Sequence, residues 1–300
     1  MQCPKCGFEQ PVGAECQSCG IVFDKYNARR NDEAARRATE ENRARSTRRA
    51  RRLEHGLRFS FLVCALLAVL SYKYKDQHPG PDFYDQARLT EPLQVKTRTQ
   101  PFQVQANGVV YTIDPLFDYE LNGMVVSEYT SGELGDIYHH DRWKDFINIK
   151  DLCVIWGHNV AGGVYQEMSF SNSPWICWAY WPSQEVGTRF RQSQLSNNHL
   201  LTNRPEVNEA IMQSEPGDQV HFKGMLARYS HSHGKFRRGT STSRTDTGNG
   251  ACETVFVTDF EIVKKANSGW RKLFAFALGG AILSLIGFLV MFAIAPARRA

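Results

Sequence analysis

The spacing of hydrophobic and polar residues changes abruptly along the chain and marks its main segments. Two runs carry no charged residue, a shorter one at Phe59–Tyr72 and a longer one at Leu273–Ala295. A helix needs about 20 apolar residues to cross a bilayer, and the second run exceeds that length. With their flanks, the runs predict a first membrane helix over 57–75 and a second over 270–296.

The first run is short for a membrane span, so its flanks decide the prediction. Arg58 and Lys73 border it, and long basic side chains extend a span by reaching toward the headgroups. A cleaved signal peptide would begin near the N-terminus, whereas this run begins only at Phe59. A membrane helix is therefore the main prediction, and an interfacial or re-entrant helix is the alternative.

Small residues recur at regular spacing along the second run. Such a stripe lets membrane helices approach each other closely, which predicts a homo-oligomer paired through this face. Ordinary membrane-helix composition is the alternative explanation. The residues of the stripe are Ala277, Gly280, Ser284 and Gly287.

Between the two runs, residues 76–269 alternate between apolar and polar positions, as strands do. Asn107-Gly108 separates two alternating stretches and is typical of a tight hairpin turn. Pro205 begins a short helix that the Pro216-Gly217 turn ends. The segment is therefore predicted to be a mainly β domain, either a small barrel or a sandwich. Further predicted strands are LFDYELNGMVVSEY, DLCVIWG, ICWAYWP, QVHFKGMLARYS and CETVFVTDFEIV.

Charge is distributed unevenly and predicts the membrane orientation. The net charge of +5 is the sum of +7 in residues 1–75, −6 in 76–269 and +4 in 270–300. Eleven arginines lie between Arg29 and Arg58, and basic residues favour the cytoplasmic side of a membrane helix. Both termini are thus predicted to be cytoplasmic, including a tail at 297–300, with the middle domain on the opposite side.

The same charges limit the functions open to each segment. Residues 27–56 are rich in Ala, Arg and Glu and predict a basic helical linker that is polar all round. The acidic middle domain is a poor general binder of nucleic acid, because neutralising phosphate supplies most of that affinity. Nucleic acid is therefore an unlikely partner, and contact through the linker is kept as an alternative.

Residues 1–26 hold two CxxC pairs, and each pair is followed directly by a glycine, Gly7 or Gly20. Each CxxC brings two sulfurs of one tight turn to a metal, and two such turns complete a tetrahedral site. A site with four thiolates has no open position, which predicts structural zinc in a reducing compartment. A disulfide pair or free thiols are the alternatives. The predicted ligands are Cys3, Cys6, Cys16 and Cys19.

Three more cysteines, Cys153, Cys177 and Cys252, lie in or beside predicted strands of the middle domain. In an oxidising compartment two of them are expected to form a disulfide. Three pairings are possible, and the sequence does not choose among them.

Known catalytic motifs are missing, since the sequence contains no HExxH, GxSxG, GxxxxGK[ST] or GxGxxG. His139 and His140 are expected at the surface, and His231 and His233 flank Ser232 in a loop where they are candidates to chelate a metal. His158 at a strand end is a candidate base. Candidates for a ligand or partner surface are Trp175, Trp178, Tyr180, Trp181, His158, His231 and His233.

Residues 1–26 resemble a zinc ribbon, and PGDQVHFKGMLARY resembles the strand that enters an OB-like barrel, with its bend at Gly224. The stretch 117–263 is similar to an uncharacterised family of bacterial membrane-associated proteins, which implies a coherent domain and a bacterial inner membrane. The segments that carry this resemblance are FDYELNGMVVS, WKDFINIKDLCVIWG, QLSNNHLL, PGDQVHFKG and GACETVFVTDFEI.

These features predict a non-enzymatic binding, assembly or sensing protein. A periplasmic β domain is linked through the membrane to a cytoplasmic zinc ribbon, which docks an unknown protein partner. The first alternative is a membrane-associated enzyme or enzyme subunit that uses histidines of the β domain. The second alternative is cytoplasmic contact with nucleic acid through ribbon and linker.

Overall fold

The computed structural model describes residues 1–133, 136, 138–233, 235–248 and 251–294. The predicted tail at 297–300 lies outside these residues. Two compact units are present: Met1–Val69 with the chain from Leu273 onward, and Leu70–Lys272. The helices are α1 (Phe23–Lys75), α2 (His158–Ala161), α3 (Gln184–Arg189), α4 (Pro205–Met212) and α5 (Ser268–Ile294).

The predicted linker and first membrane helix form one continuous helix, α1, of 53 residues. It is about 80 Å long at the usual rise per residue. The helix α1 contains the first apolar run, and α5 contains the described part of the second. Both helices are long and apolar enough to cross a membrane.

Inside the first unit, α1 and α5 pack side by side through the small-residue stripe. A Cβ placed on Gly287 would lie 3.1 Å from Leu57 Cδ2, and one on Gly280 would lie 2.9 Å from Cys64 Sγ. Between these positions the Ser284 and Ser60 hydroxyls are hydrogen-bonded at 2.9 Å. Successive contacts join higher residue numbers in α5 to lower residue numbers in α1, so the two helices run antiparallel. Pairing between copies through this stripe stays a prediction.

Cysteine at position 280 is expected to form a disulfide with Cys64 under mild oxidation. The Cβ of that cysteine would lie 3.7 Å from Cys64 Cβ, close to the separation of about 3.8 Å found in disulfides. Gly279→Cys is the matched control, because a Cβ at Gly279 meets nothing within 4 Å. Linked peptides are identified by mass spectrometry, and non-reducing gels separate links within one chain from links between chains. Equal yields from both variants, or links only between chains, would contradict the intrachain pair.

The second unit is built on a mixed β-sheet and a smaller two-stranded sheet. The described strands are β1 (Leu93–Lys96), β2 (Phe102–Ala106), β3 (Val109–Thr130), β4 (Asn148–Ile155), β5 (Ser169–Ser173), β6 (Ile176–Tyr180), β7 (Leu195–Leu201), β8 (Gln219–His231), β9 (Arg237–Arg238) and β10 (Glu253–Lys264). Of these, β1, β5, β7 and β9 are not among the predicted strands. The predicted hairpin is confirmed, since Asn107 and Gly108 both adopt positive φ between β2 and β3. The predicted helix is α4, with Pro205 in its first turn.

Five long strands of the sheet pair in a path that returns to its start. The order is β3, β4, β7, β10, β8 and then β3 again, because β3 pairs with β4 over Met124–Thr130 and with β8 over Tyr111–Met124. Only β7 and β10 run parallel among these pairs. The main apolar core includes Leu152, Leu200, Phe222, Val255 and the fully buried Trp156.

The face of β4 that points away from this core carries a disulfide. It joins Cys153 on β4 to Cys177 on β6 and ties the small β5–β6 sheet to the main one. The thiol of Cys252 is free. Where the chain enters and leaves this unit, Tyr74 stacks on Trp270, and Arg271 binds Asp76 and Glu215 at 2.9 and 2.8 Å. The two ends of the domain are thereby joined.

Candidate functional sites

The first candidate site is the cluster of four N-terminal cysteines. Each CxxC forms a tight turn in which the backbone N–H of Gly7 or Gly20 donates to the carbonyl of the first cysteine at 2.9 Å. Both glycines have positive φ, of 74° and 71°, a conformation in which a side chain is strained. Two short antiparallel bridges, Gln2 to Glu9 and Glu15 to Val22, close the turns. The ribbon is thus two copies of one small turn.

The four sulfurs lie close enough together to hold one metal ion such as zinc. All lie within 4.8 Å of one another, and the Cys3–Cys19 and Cys6–Cys16 sulfurs are each 3.7 Å apart. Bonds of about 2.3 Å to a tetrahedral zinc place its sulfurs about 3.8 Å apart. The backbone N–H of Cys19 lowers the pKa of the Cys16 thiol to about 6, whereas burial raises the pKa of the Cys19 thiol to about 12. Without a metal, Cys16 is therefore the thiol that ionises more readily.

Gln10 holds the two turns together. Its amide donates to the Glu15 carbonyl at 2.8 Å, and its side-chain oxygen accepts from the Gln17 N–H at 2.8 Å. Phe23, at the start of α1, is buried against Cys3 and Cys16. Among the described residues, no other group of three or more His, Cys, Asp or Glu side chains is close enough to share an ion.

The second candidate site is an exposed aromatic face on the β5–β6 hairpin. Ile176, Trp178 and Tyr180 point to solvent with 44, 45 and 51 % of their surfaces exposed, and the last two rings stack. Between them, Cys177 and Ala179 turn inward and pack on the core. Trp181 lies beyond the strand end and is also exposed. The aromatic face is therefore these four side chains: Ile176, Trp178, Tyr180 and Trp181.

Trp175 belongs to a different environment from the rest of the predicted aromatic group. Its ring stacks on His139 at 4.8 Å and lies 4.7 Å from His199, and the Arg238 guanidinium lies 3.8 Å above it. The prediction of a surface His139 is wrong, because that residue is fully buried and its Nδ1 lies 2.7 Å from Asp136. Burial lowers the pKa of His139.

The three predicted histidines do not form one shared metal site. His158 is exposed at the start of α2, and His233 is exposed in its loop. His231 is not on the surface: its Nε2 is 2.7 Å from the Trp143 carbonyl, and its Nδ1 accepts from the His233 N–H. Because both ring nitrogens are engaged, His231 has none left for a metal shared with His233.

A polar array that sequence reasoning missed lies under Trp175. Asp151 on β4 and His199 on β7 are cross-strand partners, with 2.7 Å between Oδ1 and Nδ1, and both are buried. The Asp151 Oδ2 also accepts from the Trp175 N–H at 3.1 Å. Neither residue stands in a recognisable motif, so only the strand register brings them together.

No family model, no curated protein and no solved structure matches this chain.

Proposed function

We propose that this chain is a bacterial inner-membrane connector, with a cytoplasmic ribbon that holds structural zinc and a periplasmic β domain that binds a partner. The antiparallel packing of α1 and α5 carries the proposal. If both helices cross the membrane, the domain between them lies on one side and the ribbon on the other. The many arginines before the first apolar run favour the cytoplasm for the ribbon.

Cysteine chemistry supports the same orientation. A free thiolate cluster suits a reducing compartment, and the Cys153–Cys177 disulfide suits an oxidising one. The two therefore belong on opposite sides of a bacterial inner membrane.

We further propose that the β domain is an OB-like barrel. In an OB fold the five strands, numbered in chain order, close in the order 1-2-3-5-4-1 with strands 3 and 5 parallel. The path β3, β4, β7, β10, β8 has that order and the parallel pair β7–β10, with α4 between the third and fourth strands in chain order. Gly224 lies on β8, the fourth of these strands, where it closely approaches β10.

The aromatic face supports a binding role for the domain. Trp and Tyr offer large contact areas at low entropic cost and are enriched in interfaces. A disulfide fixes the hairpin that presents them. The lipid bilayer contacts the two helices, and nucleic-acid contact through ribbon and linker stays a prediction.

Photo-crosslinking in intact cells tests the binding role. A photoreactive phenylalanine analogue at Tyr180 is expected to give discrete adducts with a partner. Gln105, an exposed strand position away from the aromatic face, is the matched control and is expected to give none. Adducts from neither position, or equal adducts from both, would contradict a partner site on the aromatic face.

A further inference from the structure

A cleft of about 420 Å³ lies in the first unit, where α1 passes the last turn of α5. Its walls are Asn42, Arg45, Ser46, Arg49, Ala50 and Leu53 of α1 and Met291 of α5. The α1 positions recur at spacings of three and four residues, so they share one face of that helix. One face of α1 therefore brings basic and apolar side chains to the same cleft.

The register of α1 against α5 places this cleft at the end of the apolar runs. Leu57 and Gly287 are neighbours in the antiparallel pair. Four residues further on, the register reaches Leu53 on α1 and Met291 on α5, and both line the cleft. The second apolar run has only four residues left after Met291, and Arg49 lies one turn beyond Leu53. The arginines thus lie where the hydrocarbon of a membrane gives way to its headgroups.

The positive charge of the cleft is not neutralised by the described part of the chain. There, no acidic side chain forms an ion pair with Arg45 or Arg49, which are one turn apart and repel each other. Seven arginines but only one acidic residue, Glu54, lie between positions 43 and 58. Glu54 is bound by Arg58 at 2.7 Å. The two guanidinium groups of the cleft therefore favour an anionic ligand.

The apolar part of the cleft favours a lipid over a soluble anion. Leu53 is the one large apolar residue of the linker, and 54 % of its surface is exposed. Met291 belongs to the apolar run of α5, so Leu53 and Met291 form an apolar wall on the membrane side of the arginines. A phospholipid has the same order, with acyl chains on the membrane side of its phosphate.

We propose that this cleft binds one anionic phospholipid of the cytoplasmic leaflet, where the choice of leaflet rests on the proposed orientation. The guanidinium groups of Arg45 and Arg49 bind the phosphate, which their planar donors suit, and the Ser46 hydroxyl offers a further donor. The acyl chains pass Leu53 and Met291 into the membrane. Basic pockets between membrane helices on the cytoplasmic side bind lipid headgroups in this way.

The test is binding of dioleoylphosphatidylglycerol to the purified full-length protein in detergent, followed by native mass spectrometry. Dioleoylphosphatidylcholine has the same chains and a headgroup without net charge. The wild type is expected to bind the anionic lipid about tenfold more tightly, and Arg45→Gln combined with Arg49→Gln to lose most of this preference. Arg48→Gln combined with Arg51→Gln is the matched control. It removes the same charge from the same stretch of α1, but neither side chain lines the cleft.

Equal affinity of the wild type for the two lipids would overturn the proposal. So would an equal loss in the two double variants, because the effect would then be general attraction to a basic helix. Displacement of the lipid by inorganic phosphate or by a short oligonucleotide would assign the arginines to a soluble anion instead. Glutamine is a good helix former, so both variants are expected to keep α1, which circular dichroism checks. The assay has no membrane sides, so its failure leaves the orientation of the connector untouched.

Discussion

Replacing Cys16 with serine is expected to abolish zinc binding and to unfold the ribbon that precedes α1. Apart from the cysteines, the core of the ribbon consists of Phe23 and the partly buried Ile21, so we expect a bound metal to supply most of its stability. Structural zinc in such small modules contributes about 10–16 kcal/mol of apparent free energy at neutral pH. Elemental analysis of the purified protein is expected to find about one zinc per chain in the wild type and almost none in the variant.

Cys64→Ser is the matched control for this experiment. Cys64 lies in α1 outside the sulfur cluster, so its loss is expected to leave the zinc content unchanged. Full zinc content in Cys16→Ser protein would contradict a four-thiolate site. A wild-type protein that contains no zinc after purification without chelators would contradict it as well.

Replacing Gly224 with alanine is expected to destabilise the β domain severely. A Cβ at this position would lie 2.2 Å from the carbonyl oxygen of Phe256 and 3.0 Å from Val257 Cα. These are backbone atoms of β10, so no side chain can turn aside and the β8–β10 pair must separate. We expect a loss of about 3 kcal/mol or more in the free energy of unfolding.

Gly239→Ala is the control, because a Cβ there meets nothing within 4 Å and its φ is not positive. Denaturant unfolding of the purified protein is followed by tryptophan fluorescence, since all six tryptophans lie between Trp143 and Trp270. Equal unfolding midpoints for the two variants would show that β8 and β10 do not approach as closely as described.

Features set by neighbouring residues were predictable from the sequence. The CxxC spacing predicted the sulfur cluster, Asn107-Gly108 predicted the hairpin, and Pro205 predicted the start of α4. Each of these features is determined by a few adjacent residues, whose backbone preferences or side-chain spacing allow one local structure. Long uncharged runs likewise predicted the two apolar helices.

Features that depend on strand register were not predictable. Asp151 and His199 lie far apart in the sequence, and only the pairing of β4 with β7 brings them together. The prediction of a surface His139 failed for a related reason. His139 is buried against Trp175, which lies far from it in the sequence, and its polarity alone does not reveal this packing. The sequence also did not predict that the linker and the first apolar run form one helix, α1. The composition changes from polar to apolar within α1, but the helix continues through this change.

The central claim is that ribbon and β domain lie on opposite sides of the membrane, and cysteine labelling tests it most directly. Single cysteines are placed at Gly239 in the β domain and at Ala34 in α1, both exposed, in a Cys64→Ser, Cys252→Ser background that keeps the zinc ligands and the disulfide. Intact spheroplasts are treated with a membrane-impermeant maleimide. We expect label at position 239 without lysis and label at position 34 only after lysis. Label at both positions only after lysis would contradict the connector and place both units in the cytoplasm.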